Sequence, residues 1–156
     1  MEEISVIIPG IPVPKGRPRF HIMKTREGVP YVHTYTPSET VKYEEMVSAY
    51  ARQAIKPGTR PIAEKALKVE AVAYMPIPQS YSAKKVADAV AGYLKPIVKP
   101  DIDNLIKSAL DACNGIVWAD DNLICDLSIR KEYDVRPRLE LKVSVIEPDI
   151  MGVNLL

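Results

Sequence analysis

Residues 99–113 read Lys99-Pro100-Asp101-Ile102-Asp103-Asn104-Leu105-Ile106-Lys107-Ser108-Ala109-Leu110-Asp111-Ala112-Cys113, and the periodicity of this stretch decides what must surround it. Leu105, Ile106, Ala109, Leu110 and Cys113 recur at spacings of three and four, which is the pattern of a helix with one buried stripe. Pro100 forces an extended approach, so the helix starts at Asp101 or Asp103, and Asn114-Gly115 ends it. A helix with a single apolar stripe needs a layer to lie on, and the flanking segments supply strands.

Downstream, a turn carrying Asp120-Asp121-Asn122 leads into two strands, 123–133 and 138–146, separated by a turn around Asp134 to Pro137. This spacing predicts an antiparallel hairpin. Upstream, residues 67–74 alternate Leu67, Val69, Ala71, Ala73 against Lys68, Glu70, Val72, Tyr74, the period of a half-buried strand closed by Pro76 and Pro78. Between them a helix is expected over 82–92, with Ser80 or Ser82 as its cap. Thr36-Pro37-Ser38-Glu39 reads as a helix start with Thr36 at the cap and Glu39 closing a capping box. That helix should run to about Ile55 on a stripe of Val41, Tyr43, Met46, Val47, Tyr50, Ala51 and Ala54. Residues 4–8 form a first β-branched strand, and 15–37 a polar loop broken by Gly and Pro, in which 29–35 can pair as a hairpin arm.

The expected order is β-loop-α-β-α-α-β-β, an α/β (α+β) fold with a small mixed sheet of about four strands and helices packed on it. Residues 1–156 are expected to form a single domain, with a basic loop over 10–36 and a C-terminal tail over 148–156. The chain has 156 residues, 47% hydrophobic and 26% charged, a balance that supports a real core and excludes a disordered chain. No apolar run approaches the roughly 18 residues needed to span a bilayer, and the start lacks a basic segment followed by an apolar one. A cytoplasmic protein with no membrane partner is the expectation. Cys113 and Cys125 lack zinc spacing and read as reduced core thiols.

A net charge of +1 does not announce a nucleic-acid binder, but the charge is segregated. Between Gly10 and Tyr35, Lys15, Arg17, Arg19, Lys24 and Arg26 face a single acid, Glu27, whereas Asp111, Asp120, Asp121 and Asp126 lie in a stretch without a base between them. Two acids two residues apart at a helix entrance can converge on a divalent ion, and hard carboxylate oxygens favour Mg²⁺ or Mn²⁺. Lys107, four residues after Asp103 on the same face, can neutralise a phosphate or form a surface ion pair. Asp101 and Asp103 read equally well as cap and dipole partners, and Asp120-Asp121 as ordinary turn chemistry. His21 and His33 receive no catalytic role; Tyr43, Tyr50 and Trp118 read as packing residues.

The set of motifs resembles the RusA-type Holliday junction resolvases, including their phage-borne relatives. It is carried by Asp101-Ile102-Asp103-Asn104-Leu105-Ile106-Lys107, by Leu110-Asp111-Ala112 and Asn114-Gly115-Ile116-Val117, and by Trp118-Ala119-Asp120-Asp121. The opening Pro9-Gly10-Ile11-Pro12-Val13-Pro14-Lys15-Gly16-Arg17-Pro18-Arg19, the strand 124–131 and the closing Arg138-Leu139-Glu140-Leu141 extend it over nearly the whole chain. The connection 76–100 is longer than in the shortest members.

The resemblance implies a Mg²⁺-dependent endodeoxyribonuclease, with Mn²⁺ as substitute and no small-molecule cofactor. Asp101, Asp103 and Asp121 would be its metal ligands and Lys107 its catalytic lysine, supported by Asp120 and Asn104. Lys15, Arg17, Arg19, Lys24 and Arg26, with Lys84, Lys85 and Lys99, would contact branched DNA such as four-way junctions. Paired nicks imply a homodimer. The alternatives are a phage nuclease acting on flaps or other branched DNA, and a catalytically inert DNA-binding module.

Overall fold

A computed structural model describes residues 3–148 of the chain. Its elements are β1 (Ile4–Pro9), β2 (Arg19–Lys24), β3 (Pro30–Tyr35), α1 (Ser38–Ala54), β4 (Leu67–Pro76), α2 (Ala83–Val90), α3 (Ile102–Cys113), β5 (Ile124–Asp134) and β6 (Arg138–Val145). A four-stranded mixed sheet runs in the order β1-β6-β4-β5, and β2 and β3 form a separate two-stranded sheet. The fold is the expected mixed α+β class. The tail expected at 148–156 lies, beyond Pro148, outside the described residues.

β4 is the centre of the sheet because its alternation is strict. Leu67, Val69, Ala71, Ala73 and Met75 are buried on one face, and the residues between them are half-buried on the other. Val6 and Ile8 of β1, and Leu139, Leu141 and Val143 of β6, extend the buried face. Against it lie Tyr43, Val47 and Ala51 of α1, and Leu105, Ile106, Ala109, Ala112 and Cys113 of α3. The remaining face of the sheet carries polar side chains and pairs such as Lys68 with Glu70 at 3.4 Å.

The hairpin expected from β5 and β6 does not form. β5 runs parallel to β4, while β6 is antiparallel to both β4 and β1, so β4 lies between the two strands that the sequence places next to each other. Parallel pairing of β4 and β5 needs a long crossover, and residues 77–123, with α2 and α3, supply it. The short 135–137 link then steps over the end of β4, where Pro76 closes the strand. Arg138 clips this step: its guanidinium bonds Asp134 at 3.0 Å and Glu140 at 2.8 Å, and lies 3.8 Å from the centre of the Tyr74 ring.

Several local expectations are also corrected. Pro37 occupies the cap position of α1 with no side-chain cap bond, so Thr36 and Glu39 do not form a capping box. Val41 and Ala54 of the expected stripe are exposed, and Thr40 joins the buried face in their place. Cys113 is a buried thiol, raised to about 12 by burial, whereas Cys125 is exposed on β5 and is no core residue. Ser82 does cap α2, accepting from the Lys85 N–H at 3.3 Å, but the helix ends at Val90. The loop between Lys15 and Pro37 is mostly the β2–β3 hairpin, so the arm expected at 29–35 has 19–24 as its partner.

Candidate active site

α3 enters the structure through a cis Lys99–Pro100 bond, with Asp101 in extended backbone at the cap position. A cap role would tie the Asp101 carboxylate to the backbone of the first turn, and no such bond exists. Instead the carboxylate is held by the Lys99 ammonium at 2.8 and 3.0 Å. That bond, with the charges of Lys99 and Lys131, keeps Asp101 below the usual carboxylate range. Lys131 itself donates to the Val98 and Pro100 carbonyls at 2.8 and 3.0 Å, which fixes the approach to the helix against β5. Asp103 is exposed in the first turn, and Lys107 is exposed one turn on, with no ion pair among the described residues.

The acidic turn is positioned by Trp118. Its fully buried indole donates to the Asn114 side chain at 2.7 Å, and the Gly115 N–H closes onto the Trp118 carbonyl at 2.7 Å, with Gly115 at φ 75°. Ile62 pairs with this segment through Ile62 N–H to Val117 O and Ala119 N–H to Ile62 O, at 3.0 and 2.9 Å. Asp120 follows in extended backbone, and Asp121 opens a short 3₁₀ turn, Asp121–Leu123. Partial burial, then the hydrogen bond and charge of Asp120, then the charge of Asp111, hold Asp121 above the usual carboxylate range. Neighbouring carboxylates that repel one another, as Asp120 and Asp121 do, are the electrostatic condition that a cation relieves.

The root of the basic segment is built into the same place. The Lys15 N–H donates to the Asn104 carbonyl at 2.8 Å, the buried Ser108 hydroxyl to the Val13 carbonyl at 2.9 Å, and the Gly16 N–H to Thr40 Oγ1 at 2.9 Å. Gly16 is required by closeness: a Cβ there would lie 2.8 Å from Pro37 Cγ and 3.0 Å from Thr40 Oγ1. The Lys15 ammonium sits between Glu44 at 2.5 Å and Asp111 at 3.1 Å. Burial alone would lower the Lys15 pKa, but its bonds to Glu44 and Asp111 outweigh burial and raise it.

The structure therefore divides the residues singled out from sequence. Asp120 and Asp121 are brought together under the influence of Asp111, and Asn104 meets Lys15 through its backbone. Lys15 and Lys99, expected at DNA, are engaged by carboxylates of the fold. Arg17, Arg19, Lys24 and Arg26 are exposed, with no ion pair among the described residues. Lys84 is exposed, and Lys85 lies 5.3 Å from the centre of the Tyr81 ring. Among the described residues, no group of three or more His, Cys, Asp or Glu side chains is arranged to hold a metal ion. The donors fit a hard divalent cation in kind, as carboxylates, rather than as an assembled shell.

Glu44 and Asp111 are the residues that sequence reasoning left without a role. Asp111 had a signal: Asp103, Lys107 and Asp111 recur every four residues on one helical face. Glu44 had none, because its partner is 29 residues away.

The protein YqaN of Bacillus subtilis (strain 168) is similar to this chain, 33% identical over 145 residues that make up 92% of this chain and 96% of the relative. No helix among the described residues is long and apolar enough to cross a membrane. The family model described as Endodeoxyribonuclease RusA matches residues 9–144, so the chain belongs to the RusA family, nucleases that act on DNA and, at family level, resolve Holliday junctions.

Proposed function

We propose that the protein is a Mg²⁺-dependent, structure-selective endodeoxyribonuclease that resolves four-way junctions by paired phosphodiester nicks and works as a homodimer, with Mn²⁺ as an effective substitute. Asp101, Asp103 and Asp121 would hold the ion, which when bound supplies charge neutralisation at the scissile phosphate and an activated water. Lys107, exposed one turn after Asp103, would meet a phosphate oxygen or the leaving oxygen. Asp120, next to Asp121 in the same turn, would add negative charge beside the ion.

The observation that carries this reading is that the acids make no side-chain cap bond at the elements they open, Asp101 being held only by the exposed Lys99. Asp101 stands at a helix cap and makes no cap bond, and Asp120 and Asp121 crowd each other without a base. A purely structural set would be used for capping or turn bonds.

Cleavage of an end-labelled four-way junction is the test, run beside flap and linear substrates with Mg²⁺, with chelator, and with Asp103→Asn. Symmetric nicks near the branch are expected with Mg²⁺ alone, and binding without cutting by the variant. A variant that cuts as fast as the parent overturns the assignment, and preferential cutting of flaps moves the substrate to that class.

A further inference from the structure

Every residue of the β2–β3 hairpin is exposed, on both faces of the ribbon. An isolated two-stranded hairpin is marginal in water, so one that projects from a folded body is expected to gain support from what it binds. Its cross-strand register separates the faces. One carries Arg19 opposite Tyr35, His21 opposite His33 and Met23 opposite Tyr31. These side chains already pack on one another: the two imidazoles are 5.1 Å apart, His21 is 5.3 Å from Tyr35, and the Tyr31 hydroxyl is 3.7 Å from the Met23 sulfur. The other face carries Phe20 and, opposite each other, Ile22 and Val32, and these are 71%, 71% and 63% exposed.

An open apolar face calls for an apolar occupant, and the charge around it selects which. Arg17, Arg19, Lys24 and Arg26 are exposed without ion pairs among the described residues, and Glu27 is the one acid of the segment. A polyanion that also presents bare apolar surface satisfies both demands. Branched DNA does so, because base pairs at a branch expose ring faces that a continuous duplex keeps stacked. The root of the hairpin is bonded through Lys15 to the first turn of α3 and through Gly16 to α1, so the hairpin leaves the body beside the helix turn that carries Asp103.

We propose that the β2–β3 hairpin is a base-contacting arm: the Phe20, Ile22 and Val32 face stacks on unstacked bases at a DNA branch, while the surrounding cations hold the phosphates. This inference rests on the nuclease reading for its ligand and adds a device that favours branched over linear DNA.

Binding is measured without divalent metal, so its result is independent of catalysis; failure of the nuclease reading shows instead as absence of cutting by the parent protein with Mg²⁺. The probe is a four-way junction with 2-aminopurine at the branch, beside a linear duplex of the same sequence. The parent is expected to prefer the junction and to raise 2-aminopurine emission. Phe20→Ala combined with Ile22→Ala should lose that rise and about tenfold or more of the preference, in line with the loss of base stacking, with the salt slope unchanged. Phe20→Trp should keep the preference, and junction DNA should quench the new indole. Unchanged emission and preference in the double variant overturn the proposal, as does a parent without branch preference. A double variant that instead changes the sedimentation of the free protein assigns the face to a second copy of the chain and overturns it as well.

Discussion

The two sheets of this molecule solve opposite problems with strands of similar composition. In the four-stranded sheet, every second residue of β4 is buried, and α1 and α3 cover the apolar face. In the two-stranded sheet, Phe20, Ile22 and Val32 are as apolar as their counterparts in β4, yet nothing covers them. The difference lies in anchoring rather than in the strands. Among the described residues the hairpin is bonded to the body at its root, through Lys15 and Gly16, and every residue of its two strands is exposed. Stability thus rests on the four-stranded sheet, and the proposed contact with DNA on the two-stranded one.

Substitutions can break this division, and the largest effect is expected where the acidic turn is held. Trp118→Ala removes a fully buried indole and its bond to Asn114, and should cost about 3–5 kcal/mol in denaturant unfolding. A loss near zero would mean that the Asp120 and Asp121 turn is held by something other than this ring. At the root of the hairpin, Gly16→Ala places a methyl group 2.8 Å from Pro37 and should cost about 1–3 kcal/mol, with a fall in junction affinity as the arm is displaced.

Lys15→Met strands Glu44 and Asp111 and should cost about 2 kcal/mol in urea unfolding. Its pH dependence has a definite sign. The folded pKa of Lys15 is raised, so its contribution is fully present below the ordinary value of 10.5 and is lost as pH rises through the folded value. On the basic side, parent and variant should therefore converge only in strong base, and a difference that disappears near neutrality would remove Lys15 from the root.

A smaller effect of opposite sign is expected at Asp121. Its folded pKa is raised, so the folded state is disfavoured by its charge at neutral pH and relieved as pH falls through the raised value. Asp121→Asn should raise the thermal midpoint slightly at neutral pH while abolishing cleavage, and the stability gain should fade in acid. Least of all should Arg19→Ala, Lys24→Ala and Arg26→Ala together affect folding, within about 0.5 kcal/mol. Their effect belongs to DNA, where the slope of log affinity against log salt should shrink by about 0.9 for each phosphate contact removed.

Elements governed by local periodicity were legible in the sequence. The alternation of β4 and the stripe of α3 appear where residues 67–74 and 105–113 place them. The pairing of β5 was not legible, because a short link between two strands fits a hairpin and a step over a third strand equally, and only the burial of β4 on both edges distinguishes them. The candidate acids stand out in the sequence because they lie near Pro100 and Trp118. The retention of Lys15 inside the fold could not, since the choice between phosphate and Glu44 is made by tertiary contact.

The position of β6 has a consequence for biosynthesis. Residues 138–145 enter between β1 and β4, so until they leave the ribosome those two strands lack the neighbour that joins them. Most of the sheet therefore forms late and over long sequence separations, which is the slow class of folding topology. A nascent chain halted before residue 138 would carry the β2–β3 hairpin, Asp101, Asp103, Asp120 and Asp121 without the strand that joins β1 to β4.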